Sequence, residues 1–330
     1  MTAAPVLQDP ASPPPLIAGF DAGQTHTTCR LARALGPEVW RRLASGRGSG
    51  VSHLAAADGE QRFVAALRSS LEAALRAAGL PQGQPVLGAA AVGASGIEQG
   101  SAVARQGLQL AADVLRLPSE RVLVLGDEVT ALVGAFGDGA GVLLISGTGC
   151  IALGRNDRGD THRCGGWGWL LDGAGSAMDI GRDALALTVQ MADGRLAETA
   201  LRPRLWQALG VIDAQQVKAA VVAPCFGPAG FAALAPVVNT LAAEGDPHAN
   251  AVVQRSADAL AVMVTAVARR LELDDPAVCG VGGALRHLDE LRRGLRAALQ
   301  RHCPGAALVE PTGDACDGAL RLAAQAAFRC

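Results

Sequence analysis

One pattern occurs twice in this chain, and it narrows the fold more than any other feature. Residues 16–32 read LIAGFDAGQTHTTCRLA and residues 141–154 read GVLLISGTGCIALG. Each copy is an apolar run, a short turn holding glycine and threonine, and a second extended run. That is the signature of a strand, a tight turn and a strand. The copies begin about one domain length apart, as two related structural units would. The chain has 330 residues, which is too long for one ordinary α/β domain and suits two of about 150 residues each. Half of the residues are hydrophobic, enough for two cores.

The remaining pattern fills in both halves. The first continues with helical spacing over 60–79, a buried strand over 85–93, a helix over 98–116, a strand over 121–125 and a helix over 127–136. The second continues with a largely helical stretch, 176–272, a strand over 277–281, a glycine turn and a helix over 284–300. A last strand near 307–309 precedes a helix over 314–328. The expected division is a disordered Pro- and Ala-rich tail, 1–15, a first domain of 16–120 completed by the C-terminal helix 314–330, and a second domain of 121–313.

Several function classes are excluded. The only lysine is Lys218, in a stretch without glycine, so neither a Walker A loop nor a protein-kinase strand lysine is present. Any bound nucleotide must be held by backbone amides, hydroxyls and a metal ion. The net charge is −2 and the cations are scattered, which argues against nucleic acid as a partner. The eight cysteines form no C-x-x-C pair and read as free thiols in a reducing compartment. The most apolar stretch, 122–153, is interrupted by Asp127, Glu128 and Asp138, so no membrane span is expected there. With no basic or long apolar leader, a cytoplasmic protein is expected.

Five motifs carry chemistry. Asp21-x-Gly23-x-Thr25 exposes successive N–H groups and a hydroxyl to an anion, with Asp21 able to hold Mg²⁺ directly or through water; a plain hairpin with a capping aspartate fits the same residues. Ser146-Gly147-Thr148-Gly149 is a second such turn, and two amide-lined turns opening two domains suit a polyphosphate clasped from both sides. Asp127 follows a strand, where open α/β sheets place ligands, and could accept the proton of an attacking hydroxyl; a helix N-cap is the other reading. Glu128 projects about 100° away on a helix and ranks second. Cys164-Gly165-Gly166-Trp167-Gly168-Trp169 sets an indole among glycines, which suits a pyranose face or a loop anchored by two tryptophans. Gly282-Gly283 lies between a strand and a helix, where small residues suit an adenosine or close helix–strand packing.

With these five in order, the chain resembles the BadF/BadG/BcrA/BcrD-type ATPase family over roughly residues 16–325. Within it, the chain is similar to the N-acetylglucosamine and glucosamine kinases of the actin–hexokinase–Hsp70 superfamily. The resemblance implies two ribonuclease-H-like α/β domains with a central cleft that close over Mg-ATP and an amino sugar. It places the phosphate motifs at Asp21–Thr25 and Ser146–Gly149, the adenosine motif at Val281–Ala284 and the catalytic aspartate at Asp127. It makes Cys164–Trp169, with Gly166 and Trp167, the sugar-side loop, and likens Ser95-Gly96 to a sugar-contacting pair. Asp179–Arg182, Glu244–Ala249 and Gly318-Ala319 match further landmarks. A homodimer is compatible with it, since such relatives commonly dimerise.

Two departures touch the sugar side. The family usually reads Gly-Asp-Glu-Gly-Ser where this chain has Asp172-Gly173-Ala174-Gly175-Ser176. The carboxylate stands one place early, at Asp172, and the glutamate is gone. The asparagine of the first domain's sugar loop is also missing; the stretch 46–52, with Ser45 before it, offers only Ser45, Arg47, Ser49 and Ser52. Two rival functions therefore stand beside a sugar kinase: an ATPase that activates a dehydratase or reductase, and a sugar-binding regulator with impaired turnover.

Overall fold

The computed structural model describes residues 13–81 and 86–329. Its contacts divide the chain into two units. One runs to Asp138 and resumes at Pro311; the other is Gly139–Glu310.

The first unit opens with β1 (Leu16–Ala22), β2 (His26–Ala34), β3 (Trp40–Ser49), α1 (Gly59–Ala77), β4 (Leu87–Ala94), α2 (Ala102–Leu115), β5 (Val122–Gly126) and α3 (Asp127–Phe136). The sheet order is β3-β2-β1-β4-β5. β1, β2 and β3 are antiparallel, while β4 and β5 run parallel to β1. β1 is central and apolar on both faces. Leu16, Ala18 and Phe20 pack with Phe63 and Leu67 of α1 and Ala111 of α2.

The second unit holds β6 (Gly141–Ser146), β7 (Cys150–Arg155), β8 (Thr161–Gly165), α4 (Ala177–Ala192), α5 (Leu201–Leu209), α6 (Ala214–Val221), α7 (Gly227–Ala232), α8 (Ala235–Ala243), α9 (Pro247–Leu271), β9 (Ala277–Val281), α10 (Gly283–His287), α11 (Asp289–His302) and β10 (Ala307–Val309). Its sheet order is β10-β9-β6-β7-β8. β6, β7 and β8 are antiparallel, and β9 and β10 run parallel to β6. Strand for strand this is the topology of the first sheet, with β6 in the place of β1. The repeat in the sequence is thus a repeat of the sheet. α9 is the one helix among the described residues long and apolar enough to cross a membrane. Its Val252, Leu260, Val264 and Val267 are instead buried in this unit's core. Asp246 starts it by accepting the N–H groups of His248 and Ala249, both at 3.0 Å, so the Glu244–Ala249 landmark is a helix cap.

The chain returns to the first unit for α12 (Ala315–Ala327). Ala319, Leu320 and Ala323 pack on Ile17, Ala89 and Ala91, the face of the sheet opposite α1. The approach is backbone to backbone. A Cβ at Gly19 would stand 2.7 Å from Leu320 N and 2.8 Å from Cys316 O, and one at Gly318 would collide with Thr130 O of α3. The small-residue pair Gly318-Ala319 is therefore a packing device.

Three expectations need correction. The boundary lies after Asp138, not at 120/121, because β5 pairs in register with β4 and carries α3 with it. β3 and β8 were not anticipated, and residues 46–49 of the expected sugar loop lie inside β3. Gly46 and Gly48 occur in that strand because a Cβ at either would collide with the backbone of α1 or with Ser69, so the strand lacks the apolar alternation that announces strands. The helix expected over 284–300 breaks at Leu288, which has extended backbone between α10 and α11. Residues 1–12 of the expected tail, and Pro85, lie outside the described residues.

Candidate active site

In the first unit the candidate residues gather where β1, β4 and β5 end. Asp21 is in register with Gly93 of β4, and Gly93 with Leu125 of β5. Asp127 follows two residues after Leu125, about 10 Å from β1 at ordinary strand spacing. Gly93 lets α3 pack closely on the sheet here, since a Cβ there would collide with the Thr130 side chain. The N-cap of α3 is Gly126, with no side-chain capping bond. Asp127 is thus the first helical residue, half-buried, and its Oδ1 accepts only the N–H of Glu128 at 3.0 Å among the bonds of this turn. The N-cap reading falls away, and a carboxylate oxygen remains at a strand end.

Asp21 shows how crowded this edge is. Burial pushes its carboxyl up to about 6; the negative charges of Asp127 and Asp314 add to the effect and Arg30 opposes it. Arg30 is held back by a forked bond to Asp314 at 2.7 and 2.8 Å and by Asp317 at 2.5 Å. Burial opposes ionisation of Asp314, but the bonds from Arg30 and the Asp317 N–H, with the charges of Arg30 and Arg42, outweigh it and hold the carboxyl below its usual range.

The first turn closes through Gly23 N–H to His26 O at 3.1 Å, and Val51 N–H binds Gly23 O at 3.0 Å. Gln24 and Thr25 are exposed at its tip. Ser95 donates its N–H to Ala22 O at 3.1 Å, which sets the Ser95-Gly96 pair beside the end of β1. Gly96 has φ +80°, and a Cβ there would stand 3.0 Å from the ring of His53. His53 is exposed and belongs to this edge. Nothing in its sequence neighbourhood marked it, because the loop after β3 brings it there.

In the second unit the 146–149 turn and the Gly282-Gly283 turn, expected to meet phosphate and adenosine, lie together. Gly147 N–H closes the turn on Gly149 O at 2.8 Å, leaving Thr148 and Gly149 exposed. β6 and β9 are parallel neighbours, Ile145 opposite Val281, so Gly282 and Gly283 lie beside that turn. Gly282 has φ +101°, and a Cβ there would collide with the carbonyl oxygen of Ser146. Only glycine fits both demands. Gly283 faces open space and begins α10.

The segment 172–177 ties this turn to the tryptophan loop. Ser146 Oγ donates to Gly175 O at 2.8 Å, Cys150 Sγ to Ala174 O at 3.2 Å, and Ala177 N–H to Gly147 O at 2.8 Å. Ser176 caps α4 by accepting Asp179 N–H at 3.1 Å. Within the loop, Gly165, Gly166 and Gly168 all have φ between +76° and +88°. That backbone lifts Trp167 outward, 66% exposed, with Arg163 stacked 5.7 Å from its ring centre. Cys164 lies in β8 rather than in the loop. A Cβ on Gly165 would meet Asp172 Oδ2 at 3.5 Å, and the Asp172 charge adds to burial in pushing the thiols of Cys150 and Cys164 up. Asp172 therefore faces the root of the tryptophan loop.

The candidates thus form one group in each unit: Asp21, Gly23, Thr25, Ser95, Gly96 and Asp127 in the first, and Gly147, Thr148, Gly149, Gly282 and Gly283 with the Cys164–Asp172 segment in the second. Among the described residues no group of three or more His, Cys, Asp or Glu side chains could by itself hold a metal ion.

Comparison with known proteins extends this geometry. The model of the BadF/BadG/BcrA/BcrD ATPase family matches residues 18–323. The N-acetylmuramic acid/N-acetylglucosamine kinase of Clostridium acetobutylicum is 27% identical over 205 residues, 62% of this chain and 67% of that protein. The N-acetyl-D-glucosamine kinase of Dictyostelium discoideum is 31% identical over 207 residues, 60% of this chain and 63% of that protein. The match thus spans less than two thirds of the Dictyostelium protein. A crystal structure from Chromobacterium violaceum, of a protein designated as an N-acetylglucosamine kinase, superimposes with a TM-score of 0.74 at 29% identity, covering 94% of this chain and 99% of that one. The fold is that of the actin–hexokinase class of sugar kinases.

Proposed function

The chain belongs to the BadF/BadG/BcrA/BcrD ATPase family, and from that premise we propose that it transfers a phosphoryl group from ATP to a hydroxyl of an amino sugar, N-acetylglucosamine or glucosamine, in the cytoplasm. Its relatives named for N-acetylglucosamine support that substrate class. The observation that carries the reaction type is Asp127, a half-buried carboxylate at a strand end that is not used as a helix cap.

In this reading Asp127 is the general base. It accepts the proton of the substrate hydroxyl as that oxygen attacks the γ-phosphoryl group. The amides of Thr148 and Gly149 and the Thr148 hydroxyl bind phosphate oxygens, as do Gly23 and Thr25. Gly282 and Gly283 leave room for the adenosine. Trp167 offers an apolar face to the sugar ring, while Asp172, Ser95 and Gly96 address its polar groups.

Magnesium fits the residues present. It is usually held by one or two carboxylates, water and substrate phosphates rather than by an all-protein cage, and Asp21 with Asp127 nearby supplies that acidic edge. When bound, the ion supplies charge neutralisation on the phosphates. Asp21 would hold it directly or through water, and ionises readily once a cation offsets its neighbours.

An ATP-consumption assay on the purified chain with N-acetylglucosamine, glucosamine and glucose tests the proposal. ADP release that depends on an amino sugar, with a phosphorylated sugar recovered, is the expected result. ADP release indifferent to every sugar, or none at all, would replace the kinase by an ATPase or a sugar-binding protein.

A further inference from the structure

The second unit contains a cavity of about 580 Å³ that no step of the proposed reaction uses. It lies along α4, between Arg182 and Val189, is bordered by α6 and by Phe231 of α7, and opens to solvent. Ala177, which holds the phosphate turn, is five to twelve residues earlier on α4, which is about 8–18 Å at 1.5 Å per residue. The cavity is therefore separate from the candidate active site.

Its walls are apolar and its rim is basic. Leu185, Val189, Val217, Val221 and Phe231 line the interior. Among the described residues, Arg182, Arg195 and Lys218 are the charged residues lining it, and all are cations. Arg182 is paired with Asp179 at 2.5 Å and Asp183 at 3.2 Å, and Arg195 with Asp193 at 2.6 Å. Lys218 is exposed and has no carboxylate partner among the described residues. The only lysine of the chain is thus an uncompensated positive charge at the mouth of an apolar cavity. Small-molecule sites of about 300–1,000 Å³ have this construction, a mostly apolar lining with a few convergent polar groups.

We propose that this cavity is a second binding site, specific for a small apolar anion: a carboxylate, sulfonate or phosphate on a ring system or medium-length chain. The apolar body fills the space between α4, α6 and Phe231, and the anionic head meets Lys218. Specificity for the charge rests on Lys218, and capacity for the apolar body rests on the walls.

Two fluorescent probes of similar shape separate these contributions, anilinonaphthalene sulfonate with an anionic head and phenylnaphthylamine without one. Lys218 and Ala186 are both exposed, so neither Lys218→Glu nor Ala186→Trp disturbs the core, and circular dichroism and thermal unfolding check this. Lys218→Glu should weaken the sulfonate about three- to tenfold, the range of one charged contact at a partly exposed site, and leave phenylnaphthylamine unchanged. Ala186→Trp, which covers the cavity mouth, should remove both probes, and decanoate should displace the sulfonate better than decanol does. Equal sulfonate affinity in wild type and both variants would overturn the site. So would loss of probe in Trp167→Ser alone, which would place the binding on the exposed tryptophan loop instead.

Discussion

Asp21, one residue before the end of β1, and Asp127, directly after β5, stand on either side of β4, whose residue in register with Asp21 is Gly93, and burial, with the charge of Asp127 adding to it, holds the Asp21 carboxyl up near 6. Two carboxylates thus stand on one sheet edge. The fold bears that repulsion, which a bound cation would relieve.

The pH dependence of stability reads this directly. The Asp21 carboxyl titrates near 6 when folded and near its ordinary value, about 3.9, when unfolded. The folded state then binds the proton more tightly. The favourable effect is fully present below pH 4 and is lost as the pH rises through 6. Asp21→Asn, measured in EDTA, should therefore be more stable than wild type at pH 7.5, by about 1–2 kcal/mol after allowance for partial exposure. The gain should vanish near pH 4. Thermal unfolding at both values checks it; a variant no more stable at pH 7.5 would mean that Asp21 is not under strain.

Asp127→Asn should bind ATP and sugar almost as wild type does but transfer phosphate about 10²-fold more slowly or worse, the usual scale for a lost general base. Asn at 127 keeps a side-chain oxygen for the Glu128 N–H, so the variant should fold normally. Single-turnover transfer within a few-fold of wild type would remove Asp127 from the chemistry.

Much of this was legible in the sequence. The two strand–turn–strand copies announced two sheets, and both sheets have one topology. Asp127, the glycine turns and Gly282 were all visible, because apolar strands next to Gly, Asp and Thr are local signals. What stayed hidden depends on contacts between distant segments. β3 carries glycines where α1 presses on it, so its composition speaks against a strand. The boundary after Asp138 follows from β5 pairing with β4, which no local pattern near residue 120 records. His53 reaches the ring-to-backbone contact with Gly96 only through the fold. In the landmarks Asp179-Ile180-Gly181-Arg182 and Gly318-Ala319, the glycines admit the backbones of α7 and α3, a role that only the packed fold discloses.

Gly149, in the turn proposed to hold phosphate, and Gly282, beside it, should respond differently to substitution. Gly149 has ordinary backbone and open space where a Cβ would stand. Gly149→Val should keep wild-type stability and weaken Mg-ATP binding about tenfold or more, a loss of about 1.4 kcal/mol, as one phosphate contact is blocked. Gly282 has φ +101° and the Ser146 carbonyl against it. Gly282→Ala should lower stability by about 1–3 kcal/mol from backbone strain alone. Calorimetric titration and thermal melts, run on both variants, test the contrast. Unchanged nucleotide affinity in Gly149→Val would take this turn out of the phosphate site.

The altered sugar loop gives the sharpest test of substrate recognition. Asp172 stands one residue early relative to the family pattern, and Gly173 and Gly175 follow it. Its carboxylate faces Gly165, at the root of the loop that carries Trp167. Placing it there needs an adaptable backbone, and Gly175 has φ +97°, a conformation that few other residues adopt. A hydroxyl buried without a partner costs about 1–3 kcal/mol, so one remaining carboxylate should matter more here than in a pocket with two. Asp172→Ala should raise the sugar KM about tenfold or more, the scale of one charge-assisted hydrogen bond, with ATP affinity almost unchanged. A rise in KM with kcat preserved would mark Asp172 as a binding group used equally in ground and transition states. Wild-type KM for both N-acetylglucosamine and glucosamine would instead leave Asp172 a structural partner of the Cys150 and Cys164 strands. Sugar selectivity would then have to come from Ser95, His53 and the exposed tryptophan.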